Sequence, residues 1–335
     1  MQITAIGWAL TLGIAVVVLA VDLVATARSP REPTMRESAV TLAAYVGAAI
    51  AFGTWVLLAH GHDHGTQFFA GWLTEYSLSV DNLFVFVLLM SALGVPRRHQ
   101  QSALLIGIVL ALVLRGVFIA VGYAMVESFS AIFYVFGAFL VYTAVRLLRS
   151  DDEREHPEDS AVVRLARRRL NVGEEFRGLR PWYRTSTGRV VSPMVLVVVA
   201  LGVTDLLFAL DSIPAIFGIT QEPYLVLTAN VFALMGLRQL YFLLGGLLQR
   251  LVYLPIGLAF VLAFVLAFIG VKLVLQALHE NELPFVNGGS PVPVPQVSSL
   301  ASLAVIAVAL VVTAVASLMR SARDDETSRP DASST

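Results

Sequence analysis

Nine long apolar stretches make up most of this 335-residue chain, and they constrain its fold more than any other feature. Each is long enough to cross the hydrocarbon core of a bilayer, which takes about 20 residues of α-helix. With 57% hydrophobic and 14% charged residues, the chain is too apolar for a soluble domain. The sequence therefore predicts an all-α membrane protein of about nine transmembrane helices. The stretches, numbered as spans 1 to 9, cover residues 3–24, 39–60, 68–92, 102–122, 128–148, 194–217, 224–247, 252–277 and 299–319.

The distribution of basic residues predicts the orientation of these spans. The loops after spans 1, 3, 5 and 7 and the C-terminal tail carry nineteen of the 23 Lys and Arg residues, whereas the loops after spans 2, 4, 6 and 8 carry none. Basic loops are retained on the cytoplasmic side of a membrane. We therefore expect a multi-pass protein of a bacterial plasma membrane, with the N-terminus outside and the C-terminus in the cytoplasm.

The same acidic motif occurs twice inside apolar stretches, once in span 3 and once in span 6. Each copy is a threonine and an acid, then five other residues, then an acid and a small polar residue. A charged side chain in hydrocarbon costs about 2.5–3.5 kcal/mol, so acids at this depth predict a functional site. The two copies are Thr74-Glu75 with Asp81-Asn82, and Thr204-Asp205 with Asp211-Ser212.

The two motifs belong to a longer repeat. Span 3 is predicted to run inward and span 6 outward, so a three-helix unit that is repeated once must be inverted in the membrane. Arg115 in span 4 and Arg238 in span 7 extend the match. Inverted repeats are typical of transporters, which bind their substrates near the midplane where the two halves meet.

Spans and repeats together predict seven segments. They are an N-terminal two-helix addition (1–67), a first three-helix repeat (68–148), a cytoplasmic loop (149–193), a second, inverted three-helix repeat (194–277), an outer loop (278–298), a last helix (299–320) and a disordered tail (321–335).

The chemistry of the motifs favours a hard divalent cation. The chain has no cysteine, so thiolate sites are excluded, and carboxylate, amide and hydroxyl oxygens suit Mg²⁺, Ca²⁺ or Mn²⁺. The four acids carry four negative charges if all are ionised, and Arg115, Arg238 and one divalent ion would balance them. We therefore expect cation binding and proton binding to compete. Pro214 removes an amide from the second motif, which could open the helix there. In an alternative interpretation, the acids only pair with the two arginines and hold the bundle together.

A short polar segment between spans 2 and 3 contains His60, His62, Asp63 and His64. Its imidazoles could capture or sense a transition metal at the outer surface. The alternative is a polar turn between two spans.

The motif segments 75–86 and 204–215 closely resemble those of the TerC/Alx family of bacterial membrane proteins, and the resemblance covers roughly residues 35–320. The family was named for tellurium resistance and is similar to the LysE superfamily of exporters, and several members are implicated in Mn²⁺ efflux. The resemblance implies an ion pathway formed by six residues of the two motifs. These are Glu75, Asp81, Asn82, Asp205, Asp211 and Ser212.

The sequence thus predicts a secondary transporter that exports Mn²⁺ or a similar cation as its substrate. We expect no permanently bound cofactor, no enzymatic activity and no ATP-driven step, because there is no P-loop motif. Asp81 and Asp211 are the first candidates for direct ligands, with Arg115 and Arg238 balancing the charge. The net charge of −1 gives no indication of nucleic-acid binding.

The main alternative is a membrane scaffold in an envelope-stress, tellurium-resistance or metalation complex, with a protein partner at the loop 149–193. An intramembrane hydrolase that uses paired acids is a more distant alternative.

Overall fold

The computed structural model describes most of the apolar part of the chain. The acidic and basic runs of the loop 149–193 and the tail 321–335 lie outside the described residues, as does most of the second half of the last predicted span. The described residues are 3–28, 33–128, 131–149, 172–173, 175–176, 181–185, 188–247, 254–281, 283–284, 286–309 and 311–312.

The protein is predominantly helical. Within the described residues, seven helical segments are long and apolar enough to cross a membrane. Two shorter apolar helical stretches, Ala5–Val18 within the first helix and Ser299–Ala309, lie in the first and last predicted spans. The helices are α1 (Ala5–Arg28), α2 (Met35–His60), α3 (His62–Ala92), α4 (Arg97–Ser128), α5 (Ile132–Arg149), α6 (Pro193–Phe217), α7 (Pro223–Met235), α8 (Leu237–Leu247), α9 (Leu254–His279) and α10 (Ser299–Ala309).

Local sequence signals fix where two of these helices begin. Thr34 and Glu37 form a capping box ahead of α2, in which the Glu37 amide donates to Thr34 Oγ1 over 3.2 Å and the Thr34 amide donates to Glu37 Oε2 over 2.9 Å. Ser192 caps α6 by accepting from the Met194 amide over 3.3 Å, with Pro193 at the first helical position.

Helices α3 and α6, which carry the two motifs, pack against each other in opposite directions. At the start of α3, Thr220 Oγ1, just beyond the end of α6, donates to Gln67 Oε1 over 2.6 Å. A Cβ atom on Gly71 would lie 3.5 Å from Ile216 Cδ1. The far end of α3 shares a hydrophobic cluster with the start of α6, to which Leu89 and Met194 belong. The two motifs are therefore antiparallel.

Glycines allow close approach at the crossing of α5 and α9. A Cβ atom on Gly137 would lie 2.8 Å from the carbonyl oxygen of Gly270, and one on Gly270 would lie 2.9 Å from the carbonyl oxygen of Gly137. Such contacts between backbones are characteristic of small residues at helix crossings in membranes. Helix α3 also packs on α7, and α4 packs on α6.

The structure differs from the sequence-based boundaries in three places. Helix α2 ends at His60 and helix α3 begins at His62, so His62, Asp63 and His64 form the first turn of α3 rather than a loop. Predicted span 7 is divided at Gly236 into α7 and α8. Helix α6 continues through Pro214 to Phe217, so the expected opening at Pro214 is wrong. The ring of Pro214 is accommodated in the last turn of α6, where Gly218 donates to the Pro214 carbonyl over 3.0 Å.

A small antiparallel hairpin precedes α6. Its strands are β1 (Trp182–Thr185) and β2 (Gly188–Val191), and Arg184 pairs with Arg189 across them. Tyr183 and Val190 form its buried face. The Tyr183 hydroxyl accepts from the Glu175 amide over 3.1 Å, which connects the hairpin to the preceding segment.

Candidate functional site

Arg115 lies at the centre of the bundle and joins both acidic motifs. Its guanidinium Nη1 donates to Glu75 Oε2 and, over 2.8 Å, to Asn230 Oδ1. Its Nη2 lies 4.0 Å from Asp205 Oδ1. Arg115 and Glu75 are both 0% exposed, and Asp205 is 3% exposed. One buried cluster thus contains residues from four helices, α3, α4, α6 and α7.

Hydrogen bonds to the helix backbone orient two polar side chains at this level. Asn230 Nδ2 donates to the Val226 carbonyl over 3.0 Å, which leaves its Oδ1 to accept from Arg115. Thr74 Oγ1 donates to the Ala70 carbonyl over 2.8 Å, so its hydrogen atom is used within α3. Both bonds connect a residue to the carbonyl four positions earlier, the bond that a helix places within reach of such a side chain.

The cluster is incompletely satisfied. Among the described residues, Glu75 Oε1, Asp205 Oδ2 and the Nε and Nη2 atoms of Arg115 are buried without a hydrogen-bond partner. The buried hydroxyls of Ser79 and Ser212 share this condition. Because a buried polar group without a partner is costly, the unpaired atoms of Glu75, Arg115 and Asp205 favour binding of water or an ion between them. With both acids ionised, one guanidinium leaves the cluster with a net charge of −1.

Asp211 has a different neighbour. It is half-buried, and the Thr143 hydroxyl of α5 donates to its Oδ1 over 3.2 Å. Asp205 and Asp211 are six residues apart, so a regular helix turns them about 120° from each other. The structure therefore brings Glu75 and Asp205 together through Arg115, and directs Asp211 toward α5.

The remaining residues of the predicted site are distributed along the same helices. Asn82 in α3 and Ser212 in α6 are buried, at 5% and 0% exposure. Asp81 belongs to α3, but its side chain lies outside the described residues. Arg238 is the second residue of α8 and is partly exposed. In the part of the chain that the structure describes, no three His, Asp or Glu side chains are grouped closely enough to hold one metal ion.

Two further residues, Asn230 and Thr143, contact Arg115 and Asp211 and were not predicted from the sequence. Each is a polar residue in an otherwise apolar span, and polar residues at such positions often form hydrogen bonds between membrane helices. That signal was available in the sequence, although it does not reveal which helix the side chain faces.

A polar cavity of about 340 Å³ lies at the ends of α3, α6 and α9. Gln67, Thr220 and Glu222 line one side of it, and Lys272 and Glu280 of the α9 region line another. Since the positive-inside distribution predicts that these ends face outward, the cavity is predicted to lie at the outer mouth of the bundle.

The histidine segment lies next to this cavity. His64 Nδ1 is 3.0 Å from the His60 carbonyl oxygen, and His64 Nε2 is 4.0 Å from Glu222 Oε1. His62 and Asp63 are exposed. The predicted capture or sensing of a metal by these residues stays a prediction.

Comparison with known proteins gives the chain a family. Residues 60–325 match the model of the family described as integral membrane protein TerC. An uncharacterised membrane protein of Mycobacterium tuberculosis is 46% identical over 314 residues, which cover 92% of this chain and 78% of the relative. An uncharacterised membrane protein of Myxococcus xanthus is 39% identical and covers 97% of this chain and 95% of the relative.

Two similar proteins carry more descriptive names. The putative membrane-bound redox modulator Alx of Escherichia coli is 34% identical over 78% of this chain and 84% of its own length. The thylakoid membrane protein TERC of Arabidopsis thaliana is 38% identical over 73% of this chain and 63% of its own length. No solved structure matches the chain. The extent of the family match and the identity to these relatives show that the chain belongs to the TerC family of integral membrane proteins.

Proposed function

We propose that this protein is a secondary transporter that exports Mn²⁺, or a similar hard divalent cation, across the bacterial plasma membrane. One observation carries the proposal: Glu75 and Asp205, from the two copies of the motif, meet at Arg115 inside the bundle. Burying two carboxylates in hydrocarbon is costly, and such intramembrane acids usually mark ion or substrate pathways. Oxygen ligands favour the hard cations among divalent ions.

The packing of the helices supports two inverted repeats, α3–α5 and α6–α9, within a nine-span protein. In the proposed repeats, α3 corresponds to α6, α4 to α7 and α5 to α9. The contact of α3 with α7 then corresponds to the contact of α6 with α4, and both contacts exist. Since α5 corresponds to α9, their crossing should be symmetric. Gly137 and Gly270 do approach each other's carbonyl oxygens in the same way there. Reciprocal contacts of this kind are those that a twofold axis in the membrane plane would produce.

Apolar layers on both sides of the acids suit alternating access. Gln67 lines the outer cavity, and Glu75 lies about 12 Å farther along α3. Between them, Gly71 packs against the fully buried Ile216. Beyond the motifs in the other direction, Phe86, Leu89 and their neighbours form a buried cluster with the start of α6. Transport would open these two layers in turn, with Asp81 and Asp211 as direct ligands and with Glu75 and Asp205 binding the ion on the same pathway.

Cation binding is expected to exchange with protons. Without the divalent ion, the acids would hold excess negative charge in a low-dielectric environment, which favours proton uptake or closer pairing with arginine. Arg115 and Arg238 set the remaining charge. Export would therefore be driven by an ion gradient or by the membrane potential.

The decisive experiment measures cellular Mn²⁺ content and Mn²⁺ tolerance in a bacterial strain that lacks its own exporters. We expect the wild-type protein to lower Mn²⁺ content, and Asp81→Asn, Asp211→Asn and Glu75→Gln to lose most of this effect. Glu37→Gln, at an exposed position in the first turn of α2, is the control and should retain it, because glutamine can also serve in the capping box. Equal rescue by all variants would remove the acids from the mechanism.

A membrane scaffold is the second candidate function, because the Escherichia coli relative is named a putative redox modulator. This chain has no cysteine, so a redox effect would have to act through a partner protein or through metal supply. Deletion of residues 151–170, with preceding and following segments retained, separates the two functions. If the protein is a transporter, Mn²⁺ transport should survive the deletion. If it is a scaffold that docks through this loop, its effect on Mn²⁺ content and tolerance should be lost.

A further inference from the structure

We infer that Arg115 is a tethered cation that competes with the transported ion for Glu75 and Asp205, and thereby selects divalent over monovalent cations. The inference rests on the proposed function. It assigns Arg115 a role beyond charge balance, because the guanidinium and the substrate would occupy the same position in turn.

The first argument is the position of the guanidinium. Nη1 bonds Glu75 of one motif, and Nη2 of the same group lies 4.0 Å from Asp205 of the other. A single cation that bridged the two motifs would have to lie between these carboxylates. In the structure, the guanidinium of Arg115 occupies that place, and Arg115 is 0% exposed.

The second argument is that the arginine is incompletely held. A guanidinium that serves as a permanent buried pair is expected to form parallel bonds to its carboxylate and to use its remaining donors. Here Nε and Nη2 have no hydrogen-bond partner among the described residues, and neither have Glu75 Oε1 and Asp205 Oδ2. A half-satisfied network holds its members less firmly than a complete one. Displacement of Arg115 from the acids therefore breaks few bonds.

Asn230 offers a partner for the displaced arginine. Its Oδ1 already accepts from Arg115 Nη1, and its own Nδ2 is fixed to the Val226 carbonyl. A neutral acceptor can keep one hydrogen bond to the guanidinium after the carboxylates have turned to another cation. Asn230 would thus be a positioning residue that keeps Arg115 within reach of the acids.

Charge then decides which ions can compete. The guanidinium carries a single charge, so a monovalent ion between the two carboxylates would only replace one unit charge by another. A divalent ion at the same distance attracts each carboxylate about twice as strongly. This stronger attraction allows a divalent ion, but not a monovalent one, to move Arg115 away from the acids.

The test uses Arg115→Ala in the full-length protein in nanodiscs, with free guanidinium as a soluble substitute for the lost side chain. Mn²⁺ binding is measured by calorimetry and by the Mn²⁺-dependent rise in Tm. We expect Arg115→Ala to bind Mn²⁺ about tenfold more tightly than the wild type, equivalent to about 1.4 kcal/mol of relieved competition. Millimolar guanidinium should weaken this binding competitively in the variant and leave the wild type unchanged.

Controls separate competition from loss of charge and from denaturation. Urea at the same concentration should not weaken Mn²⁺ binding. Arg97→Ala removes an exposed positive charge from the first residue of the same helix and should bind Mn²⁺ as the wild type does. If Arg115→Ala does not fold, the test uses Arg115→Lys instead. Lysine keeps the positive charge but lacks the planar group of donors that reaches both acids. Arg115→Lys should still bind Mn²⁺ more tightly than the wild type.

The outcomes are distinguishable. If the wild type binds Mn²⁺ and neither variant binds it more tightly or responds to guanidinium, Arg115 is a structural residue and the transport proposal stands. If folded wild-type protein binds no divalent cation, both the tethered-cation role and the proposed function are overturned.

A second inference rests on a different surface: we infer that the β1–β2 hairpin binds the headgroup of an anionic phospholipid. Arg184 and Arg189 lie directly opposite each other in the hairpin, and both are exposed. Like charges in such a pair repel each other unless an anion lies between them. Trp182 is 57% exposed, and the Arg189 guanidinium lies 5.8 Å from its ring.

The position of the hairpin identifies the anion as a lipid. Val191 is followed by Ser192, which caps the membrane-spanning helix α6, and the Ser192 amide donates to the Pro181 carbonyl over 2.9 Å. The hairpin is therefore held at the level where a membrane helix meets the headgroups, on the side predicted to be cytoplasmic. Tryptophan prefers this interface, and anionic lipids there attract arginine.

Nanodiscs of two compositions test this surface. The Tm of the wild type should be higher in phosphatidylglycerol than in phosphatidylcholine, and Arg184→Gln/Arg189→Gln should lose most of the difference. Arg36→Gln/Arg97→Gln, two exposed arginines at other predicted cytoplasmic helix ends, is the charge-matched control and should keep it. An equal Tm in both lipids would overturn the inference. An increase reproduced by inorganic phosphate in phosphatidylcholine would also overturn it, since it would show anion binding without lipid recognition.

Discussion

At the residue scale, the sequence indicates which acids are candidates for a site but not which side chains they contact. Glu75 and Asp205 stand out because charge is rare in apolar spans, and the repeated spacing assigns them to equivalent positions. Their connection through Arg115, and the separate bond of Asp211 to Thr143, depend on the rotation of each helix about its axis. Helices that are apolar on nearly every face give little periodicity from which to read that rotation.

Asn230→Leu tests whether the cluster behaves as one network. The substitution keeps the size of the side chain approximately and removes one of the two acceptors of Arg115 Nη1, so one buried N–H of this group is left without a partner. We expect a loss of stability of about 1–3 kcal/mol. Thermal unfolding in one detergent measures it.

Thr228→Val is the matched control for that prediction. Thr228 is buried in the same helix, and among the described residues its hydroxyl donates only to carbonyls of the preceding turn, at Tyr224 and Leu225. Because its loss breaks no contact between helices, the Tm should fall by less than in Asn230→Leu. Equal Tm values for the two variants would mean that Asn230 does not support Arg115.

At the element scale, most helices begin and end near the predicted positions, and the exceptions have local causes. The bounds of α6 agree closely with span 6, because Ser192 and Pro193 start the helix and Gly218 follows its end. The division of span 7 at Gly236 was not predicted, since a single glycine in an apolar stretch is tolerated within many helices. Hydropathy reports the depth of a segment in the membrane but not whether its backbone is continuous.

Gly137→Ala tests the α5–α9 crossing. The added methyl group would lie 2.8 Å from the Gly270 carbonyl oxygen and 2.7 Å from Val274 Cγ2, so the helices must separate. Overpacking of this kind typically costs about 1–3 kcal/mol. Gly116→Ala is the control, because a methyl group there meets nothing within 4 Å and alanine favours the helix. Thermal unfolding should show a lower Tm for the first variant and an unchanged or higher Tm for the second.

At the scale of the whole molecule, composition established a multi-pass membrane protein, and the contacts between helices add the relation between its halves. The antiparallel contact of α3 with α6 agrees with the opposite directions that the basic loops predict for spans 3 and 6. Those contacts join residues more than 100 positions apart, such as Gln67 and Thr220. No local pattern encodes such a contact, so it could be inferred only from the predicted inverted repeat.

The absence of cysteine in the sequence makes the orientation directly measurable. Single cysteines at Asp63 and Glu222 probe the predicted outer ends of α3 and α6, and single cysteines at Arg97 and Arg184 probe the predicted inner side. In intact cells, or in spheroplasts where an outer membrane is present, a membrane-impermeant maleimide should label the first two positions and reach the last two only after permeabilisation. Labelling of Asp63→Cys and Glu222→Cys from opposite sides would contradict the antiparallel arrangement of α3 and α6. Labelling of all four positions in the reverse pattern would keep the inverted repeat and reverse the direction in which the proposed transporter faces.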